Sequence, residues 1–312
     1  MRTDKPLLYN LGSINIDHVY RVPHLVRPGE TLSSTDFQQV LGGKGANQSL
    51  AMARAGGRVQ HWGRLGSMDR WALEILVSSG VDTSAVELAS EPSGHALIQV
   101  DDQGENAIIL FPGANHGFNE ATLGSLIENA QLGGWLVLQN ECNGLDSALR
   151  QAAARGLQVA FNPAPMDAKV QDLPLEHCRL LFINRGEAAS LTGLPWDSDA
   201  DALLDRLAKR LPETELVLTL GVDGVCHHYR EQRLCLPAHS VQVVDTTAAG
   251  DTFIGYFMAD RQAGGDIESS LQRASVAAAL SVQRTGAAPS IPLATEVDAA
   301  LAQWPGLFFS RT

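Results

Sequence analysis

Trp135-Leu-Val-Leu-Gln139, Leu145-Asp-Ser-Ala-Leu-Arg-Gln-Ala-Ala-Ala-Arg155 and Leu157-Gln-Val-Ala-Phe161 follow one another with only short breaks, and the fold turns on this stretch. Two apolar runs of strand length flank an alanine-rich segment of helix length. The alternation continues outward. Further strands are expected at Leu7–Gly12, Arg58–Trp62, Leu180–Ile183, Leu216–Leu220 and Val241–Val244. Helices are expected at Ala46–Ala55, Asn119–Ala130, Glu187–Leu191, Ala200–Arg210, Gly250–Gln262 and Ile267–Arg284. Strand–helix alternation of this kind makes an α/β fold, a mostly parallel sheet with helices on both faces. Ligands of such sheets bind outside the carboxyl ends of the strands. Residues 13–40 and 93–111 break the rhythm. Val19–Val22 and Thr31–Val40 mix polar and apolar residues as half-exposed strands do, and Ser93–Val100 with Ala107–Phe111 reads as a hairpin. A small separate sheet over one end of the main one accounts for them.

The chain has 312 residues, 45% hydrophobic and 19% charged, as expected of a globular protein with a sizeable core. Its formal net charge of −12 argues against nucleic acid and anionic lipid as partners, since both recruit Lys and Arg. No apolar run approaches the ~20 residues that span a bilayer. The run at Leu7–Leu11 after Met-Arg-Thr-Asp-Lys-Pro is too short for a signal peptide, so a cytoplasmic location is expected. Cys142, Cys178, Cys226 and Cys235 contain no Cys-x-x-Cys pair and are expected to be free, mostly buried thiols. His227-His228 and the other histidines read as surface or core residues, and Trp62, Trp71 and Trp135 as core.

Two common nucleotide fingerprints are absent. Gln38 stands where a Walker A loop ending at Lys44 needs glycine, and Gln48 breaks the glycine pattern begun by Gly43-Lys-Gly45. The missing dinucleotide fingerprint also argues against an NAD-dependent dehydrogenase. Chemistry is instead suggested by Val243-Val-Asp-Thr-Thr-Ala-Ala-Gly-Asp-Thr-Phe253, a run of small residues opening a helix. Small residues bare the backbone N–H groups, and a helix N-terminus favours negative charge. Asp251 sits there, and taken alone it would be an ordinary first-turn aspartate. Gly42-Gly-Lys-Gly-Ala-Asn-Gln48 likewise opens a helix, with Asn47 able to donate to and accept from sugar hydroxyls.

Both segments resemble signatures of the ribokinase family, which includes the B-type phosphofructokinases and adenosine kinase. Gly12-Ser-Ile-Asn-Ile-Asp17, Pro28-Gly-Glu-Thr31, Pro112-Gly-Ala-Asn115, Asn162-Pro-Ala-Pro165, Asn184-x-x-Glu187, Leu218-Thr-Leu-Gly221 and Arg284-Thr-Gly-Ala-Ala-Pro-Ser290 follow in the family's order, over roughly residues 7–300. The resemblance implies one kinase domain over 1–312, with 13–40 and 93–111 as a lid. It implies an ATP-dependent sugar kinase using Mg²⁺ and activated by K⁺, with D-ribose the leading substrate and a homodimer formed through the lid. Asp251 would be the base, and the N–H groups of Ala248, Ala249 and Gly250 the anion hole. Asn15, Asp17, Gly43, Lys44, Asn47 and Glu141 would hold the sugar. Asn184 and Glu187 would act on Mg²⁺ and the phosphates, and Thr219, Gly221, Gly224 and Gly250 would contact ATP. Asp245, Thr247 and Ser290, with carbonyls near Ser281, Arg284 and Gly286, would hold K⁺.

Gly66-Ser-Met-Asp-Arg-Trp-Ala-Leu73 departs from the family pattern by being shortened and lacking a second glycine, and His116 stands where a small residue is usual. These changes bear on the choice of sugar. Another sugar, a sugar acid or a nucleoside is the alternative substrate, and a non-catalytic sugar-binding relative the alternative class.

Overall fold

The computed structural model describes residues 6–311, so Met1–Lys5 and Thr312 lie outside the described residues. In chain order the elements are β1 (Leu8–Leu11), β2 (Asn15–Arg21), β3 (Asp36–Gly42), α1 (Lys44–Arg54), β4 (Val59–Gly66), α2 (Trp71–Ser78), β5 (Val86–Ala89), β6 (Gly94–Val100) and β7 (Asn106–Phe111). Then come α3 (Glu120–Glu128), β8 (Trp135–Gln139), α4 (Leu145–Arg155), β9 (Gln158–Asn162), β10 (Leu180–Asn184), α5 (Arg185–Thr192), α6 (Ala200–Arg210) and β11 (Glu215–Thr219). The chain closes with β12 (Val225–Tyr229), β13 (Gln232–Leu236), α7 (Ala249–Gln262), α8 (Ile267–Ser281), α9 (Ala294–Gln303) and β14 (Ser310–Arg311).

Among the described residues the larger sheet has ten strands in the order β14-β13-β12-β11-β10-β9-β8-β1-β4-β5. From β11 to β5 every pair is parallel, and the β12–β14 edge is antiparallel. The central strands are apolar without alternation because both faces are covered. In β8, Trp135 and Val137 enter the core beneath α1, α7 and α8, while Leu136 and Leu138 enter the core beneath α3, α4 and α6. Local signals agree with the helix ends. Asp199 caps α6 through the N–H of Ala202, and Gly156 takes the left-handed conformation that ends α4.

The second sheet, ordered β3-β2-β6-β7, contains the strand-rich material that broke the alternation. Its first strand starts where β1 ends, so its inner end lies at the carboxyl edge of the large sheet. Strand β7 is exposed along its length and forms an edge.

Three expectations are corrected. Val241–Val244 is not a strand. Val243 and Val244 are about half exposed, and the N–H groups of Val244 and Asp245 both turn to the Val282 carbonyl instead of a ladder. Thr31–Ser34 is irregular, and β3 begins only at Asp36, beyond the turn at Pro28-Gly29. Cys226 and Cys235 are not free thiols. The antiparallel register of β12 and β13 sets them directly opposite, with Cα atoms 4.1 Å apart, and they form a disulfide. Cys142 and Cys178 are free and buried, and burial pushes both thiols up. The shortened Gly66–Leu73 stretch ends β4, makes one short turn at Ser67–Asp69 and enters α2.

Candidate active site

The carboxyl ends of β9, β10 and β11 meet the start of α7. A cavity of about 240 Å³ there is lined by Lys44, Asn184, Glu187, Thr219, Ala248, Gly250 and Asp251, together with Asn162 and Thr246. The sequence had given the last two no role. Gly221 and Gly224 do not line it. Gly221 opens a short turn, Gly221–Asp223, and Gly224 follows it, where glycine is required because a Cβ would run into the Leu236 carbonyl.

Helix α7 starts without a side-chain cap. Ala248 adopts a left-handed conformation, φ 60°, which is costly for a residue with a Cβ. The turn it makes directs the Ala249 N–H to the Thr246 carbonyl at 3.2 Å. The expected trio of anion-binding N–H groups is therefore reduced. Those of Ala248 and Gly250 have no partner among the described residues, whereas that of Ala249 is engaged. A Cβ at Gly250 would meet open space, so glycine leaves the helix end clear. Unpaired N–H groups at a helix start favour an anion.

Asp251 is buried in the first turn of α7. Its Oδ2 accepts from Asn47 Nδ2 at 3.1 Å and its Oδ1 from Gln48 Nε2 at 3.0 Å, both residues lying on α1. Gln48 has no freedom to flip. Gln139 Nε2 donates to Gln48 Oε1 at 2.8 Å and to Asn10 Oδ1 at 2.9 Å, which fixes the Gln48 amide with its nitrogen towards Asp251. Burial raises Asp251 above the usual carboxylate range, while Lys44, Gln48 and Asn47 oppose the shift. The Lys44 ammonium is itself held up, chiefly by Asp251. Asn47 Oδ1 is buried without a partner, an expensive condition unless a donor from outside the chain meets it.

On the other side of Lys44 stand the remaining expected sugar residues. Glu141 Oε2 accepts from Ser13 Oγ at 2.5 Å and from the Lys44 N–H at 2.9 Å. The Asp17 carboxylate, on β2, has no hydrogen-bond partner among the described residues, and burial with the nearby Glu141 charge pushes it up to about 6. Gly42 makes room for it, since a Cβ there would overlap the Asp17 carboxylate. Gly43, with φ 90°, precedes α1 at the turn beside Asn15. Asn15 and Glu141 line a second cavity of about 490 Å³ with Asn115, His116 and residues of the loop after β8.

Asn184 and Glu187 close a capping box at the start of α5. The Asn184 side chain accepts from the Glu187 N–H, and both Asn184 nitrogens donate to the Glu187 carboxylate. Each carboxylate oxygen thus keeps a lone pair. Burial is the largest influence on Glu187 and raises it. Asp245 binds Thr247 through Oδ1 and the Gly286 N–H through Oδ2, drawing residues 282–286 against the start of the small-residue segment. The Ser281 and Ser290 hydroxyls donate to the Ala278 and Ala287 carbonyls, and the Arg284 side chain pairs with Glu296. No group of three or more His, Cys, Asp or Glu side chains able to hold a metal occurs among the described residues.

A buried carboxylate held by two amides, a lysine beside it, and open N–H groups at a helix start suit one kind of chemistry. Such groups are able to take a proton from a hydroxyl beside a held anion.

Residues 5–294 match the family described as pfkB family carbohydrate kinase. The chain is 34% identical over 292 residues to the ribokinase of Haemophilus influenzae, covering 92% of this chain and 95% of the relative. It is 30% identical over 298 residues to the deoxyribokinase of Salmonella typhi, covering 90% and 94%. Arabidopsis thaliana ribokinase complexed with ribose and ATP superposes with a TM-score of 0.85 at 31% identity, covering 95% of this chain and 98% of that one. The chain therefore belongs to the pfkB family of carbohydrate kinases, within its ribokinase-like group. It is a phosphotransferase with an alcohol group as acceptor.

Proposed function

We propose that this enzyme transfers the γ-phosphoryl group of ATP to the 5-hydroxyl of D-ribose. The observation that carries this reading is the orphaned Asn47 Oδ1 beside Asp251, an acceptor waiting for a hydroxyl next to the base that would deprotonate one. Asp251 takes the hydroxyl proton as the oxygen attacks. The helix start at Ala248–Gly250 and Lys44 meet the charge on the transferred group. Asp17 and Asn15 grip the vicinal hydroxyls from the β2 side, and Gly43 and Glu141 complete the enclosure. Thr219 faces the phosphates, and Gly221 and Gly224 shape the turn along which the nucleotide lies.

Mg²⁺ fits Glu187 and Asn184, because the free lone pairs of that carboxylate suit contact through water and the ion needs few protein ligands. When bound it neutralises phosphate charge. K⁺ fits the oxygens of Asp245 and Thr247 with Ser290 and the carbonyls near Ser281, Arg284 and Gly286, where Asp245 already ties both segments together. The second sheet acts as a lid over the sugar. The exposed Ile108, Ile109, Leu110 and Phe111 of its edge strand support a lid-to-lid homodimer. Use of ATP agrees with a cytoplasmic location, and no helix among the described residues is long and apolar enough to cross a membrane.

Two results are expected. In the product made from ribose, phosphorus is coupled to the C5 protons in the NMR spectrum, and coupling at another carbon rejects the assigned acceptor. Adding K⁺ to Na⁺-free enzyme raises kcat about fivefold or more, a modest coupling between sites. Unchanged turnover, in Na⁺-containing and Na⁺-free buffers alike, removes the K⁺ site from the proposal.

A further inference from the structure

Pro112-Gly-Ala-Asn115 is a motif to which the chemistry above gives no part. Asn115 lies in a short turn, Gly113–His116, that is clamped to the base of the lid by the Ala114 N–H donating to the Pro92 carbonyl at 2.9 Å. Its side chain is 1% exposed and reaches back across the chain to the start of β2. Asn115 Oδ1 accepts from the Ile14 N–H at 3.0 Å, and Asn115 Nδ2 donates to Asn15 Oδ1 at 2.7 Å.

The polarity of this relay is not arbitrary. A backbone N–H can only donate, so the Asn115 atom facing Ile14 must be the oxygen. The nitrogen is then the atom that faces Asn15, and the Asn15 atom meeting it must be the oxygen. Asn15 is left with its Nδ2 as the only free end, and that nitrogen has no partner among the described residues. Gly94 on β6 lies against the junction, where a Cβ would overlap both Asn115 Nδ2 and Asn15 Oδ1.

We infer that Asn115 is a positioning residue that makes Asn15 an obligate hydrogen-bond donor and thereby sets the preference for a sugar bearing a hydroxyl at C2. This rests on the reading of Asn15 as a sugar contact. A free asparagine could turn either end to a ligand and would tolerate a missing hydroxyl by rotating. A locked Asn15 cannot. Its N–H groups need an oxygen that accepts, while Asp17, an acceptor, needs one that donates. A hydroxyl does both, and a methylene leaves the locked nitrogen without a partner in a mostly buried place.

Asn115→Asp tests this with the same shape and the opposite polarity. The carboxylate still accepts from Ile14, but its second oxygen repels Asn15 Oδ1 and draws Asn15 Nδ2 round instead. The Asn15 oxygen then faces the sugar. The expected result is a KM for D-ribose raised about tenfold or more, kcat within about threefold, and a ribose over 2-deoxyribose ratio in kcat/KM that falls by a similar factor. A merely structural role would instead lower both sugars' values together and leave their ratio unchanged. If the variant does not fold, Asn115→Ser, which releases Asn15 without a new charge, must lower the same ratio. Asn15→Leu separates the two levels. If it leaves ribose KM unchanged, Asn15 does not bind the sugar and the underlying reading fails. If it raises KM while folded Asn115→Asp or Asn115→Ser leaves the sugar ratio untouched, only the relay is overturned.

Discussion

Asp251→Asn lowers kcat by about 10³–10⁴-fold, near the upper range of general-base contributions, and changes the sugar KM by only a few-fold. The side chain keeps its size and its place in the first turn of α7, so the proposed sugar contacts of Asn47, Asp17 and Glu141 are retained. What is lost is the acceptor of the hydroxyl proton. Both partners of the carboxylate, Asn47 Nδ2 and Gln48 Nε2, are donors, so the new amide satisfies one and confronts the other. A small loss in melting temperature is expected from that mismatch, offset by the end of the burial penalty on the charge. The pH profile supplies a second readout. Burial raises Asp251 above the usual carboxylate range, and only its ionised form is a base. Wild-type kcat therefore falls on the acid side at a pH above that range, and the residual activity of the variant lacks this limb. Wild-type turnover in Asp251→Asn, measured by ADP release, would remove the base from the mechanism.

Asp17→Asn raises the KM for the sugar by about tenfold to a hundredfold with kcat nearly intact, on the scale of a lost charged hydrogen bond. It also stabilises the free protein at neutral pH. Asp17 titrates at about 6 in the fold against 3.8 for its ordinary value, because burial and Glu141 oppose its charge. The native state thus holds this proton more tightly than the unfolded chain. Stability falls as pH rises from about 3.8 to about 6 and stays reduced above, by roughly 2–3 kcal/mol at most. The asparagine variant escapes that penalty, and its melting temperature at pH 7.5 is expected to lie a few degrees above wild type. Ligand binding runs the other way. In the wild type kcat/KM for the sugar drops below about pH 6 as Asp17 takes up a proton, and the variant loses that part of the acid limb and keeps only the part set by Asp251. A variant with unchanged KM and a lower melting temperature would make Asp17 a structural residue.

The parts of the fold legible in the sequence were those governed by local pattern. Trp135–Gln139, Leu145–Arg155 and Ala200–Arg210 have the expected limits because an apolar run or a helical composition, with a glycine or a cap at hand, decides them locally. Val241–Val244 has the composition of a strand but no neighbour to pair with, and composition cannot report a missing neighbour. The hairpin of β12 and β13 passed unnoticed, and with it the disulfide, because Cys226 and Cys235 meet through strand register instead of through a motif spacing.

At the site, Asp251, Lys44 and Asn47 stood out because each lies in a run of small residues that opens a helix. Gln48 and Asn115, though inside quoted motifs, and Gln139 received no role. Each acts through another side chain, and the amide that gives Gln48 its orientation comes from 91 residues away. The donor that fixes Asn15 comes from 100 residues away. Polarity of this kind exists only once the chain is folded. Asn184 and Glu187 were legible through the family resemblance, and the structure shows the capping box they close, with lone pairs left free.

The most direct test of ribose as the substrate is the ratio of kcat/KM for D-ribose to that for 2-deoxyribose, measured by ADP release with Mg-ATP and K⁺ alongside fructose, other pentoses and nucleosides. Ribose is expected to have the highest value on the panel, exceeding 2-deoxyribose about tenfold or more because the deoxy sugar leaves Asn15 unpaired. A ratio at or below one, or a higher value for any other panel member, would contradict the assignment.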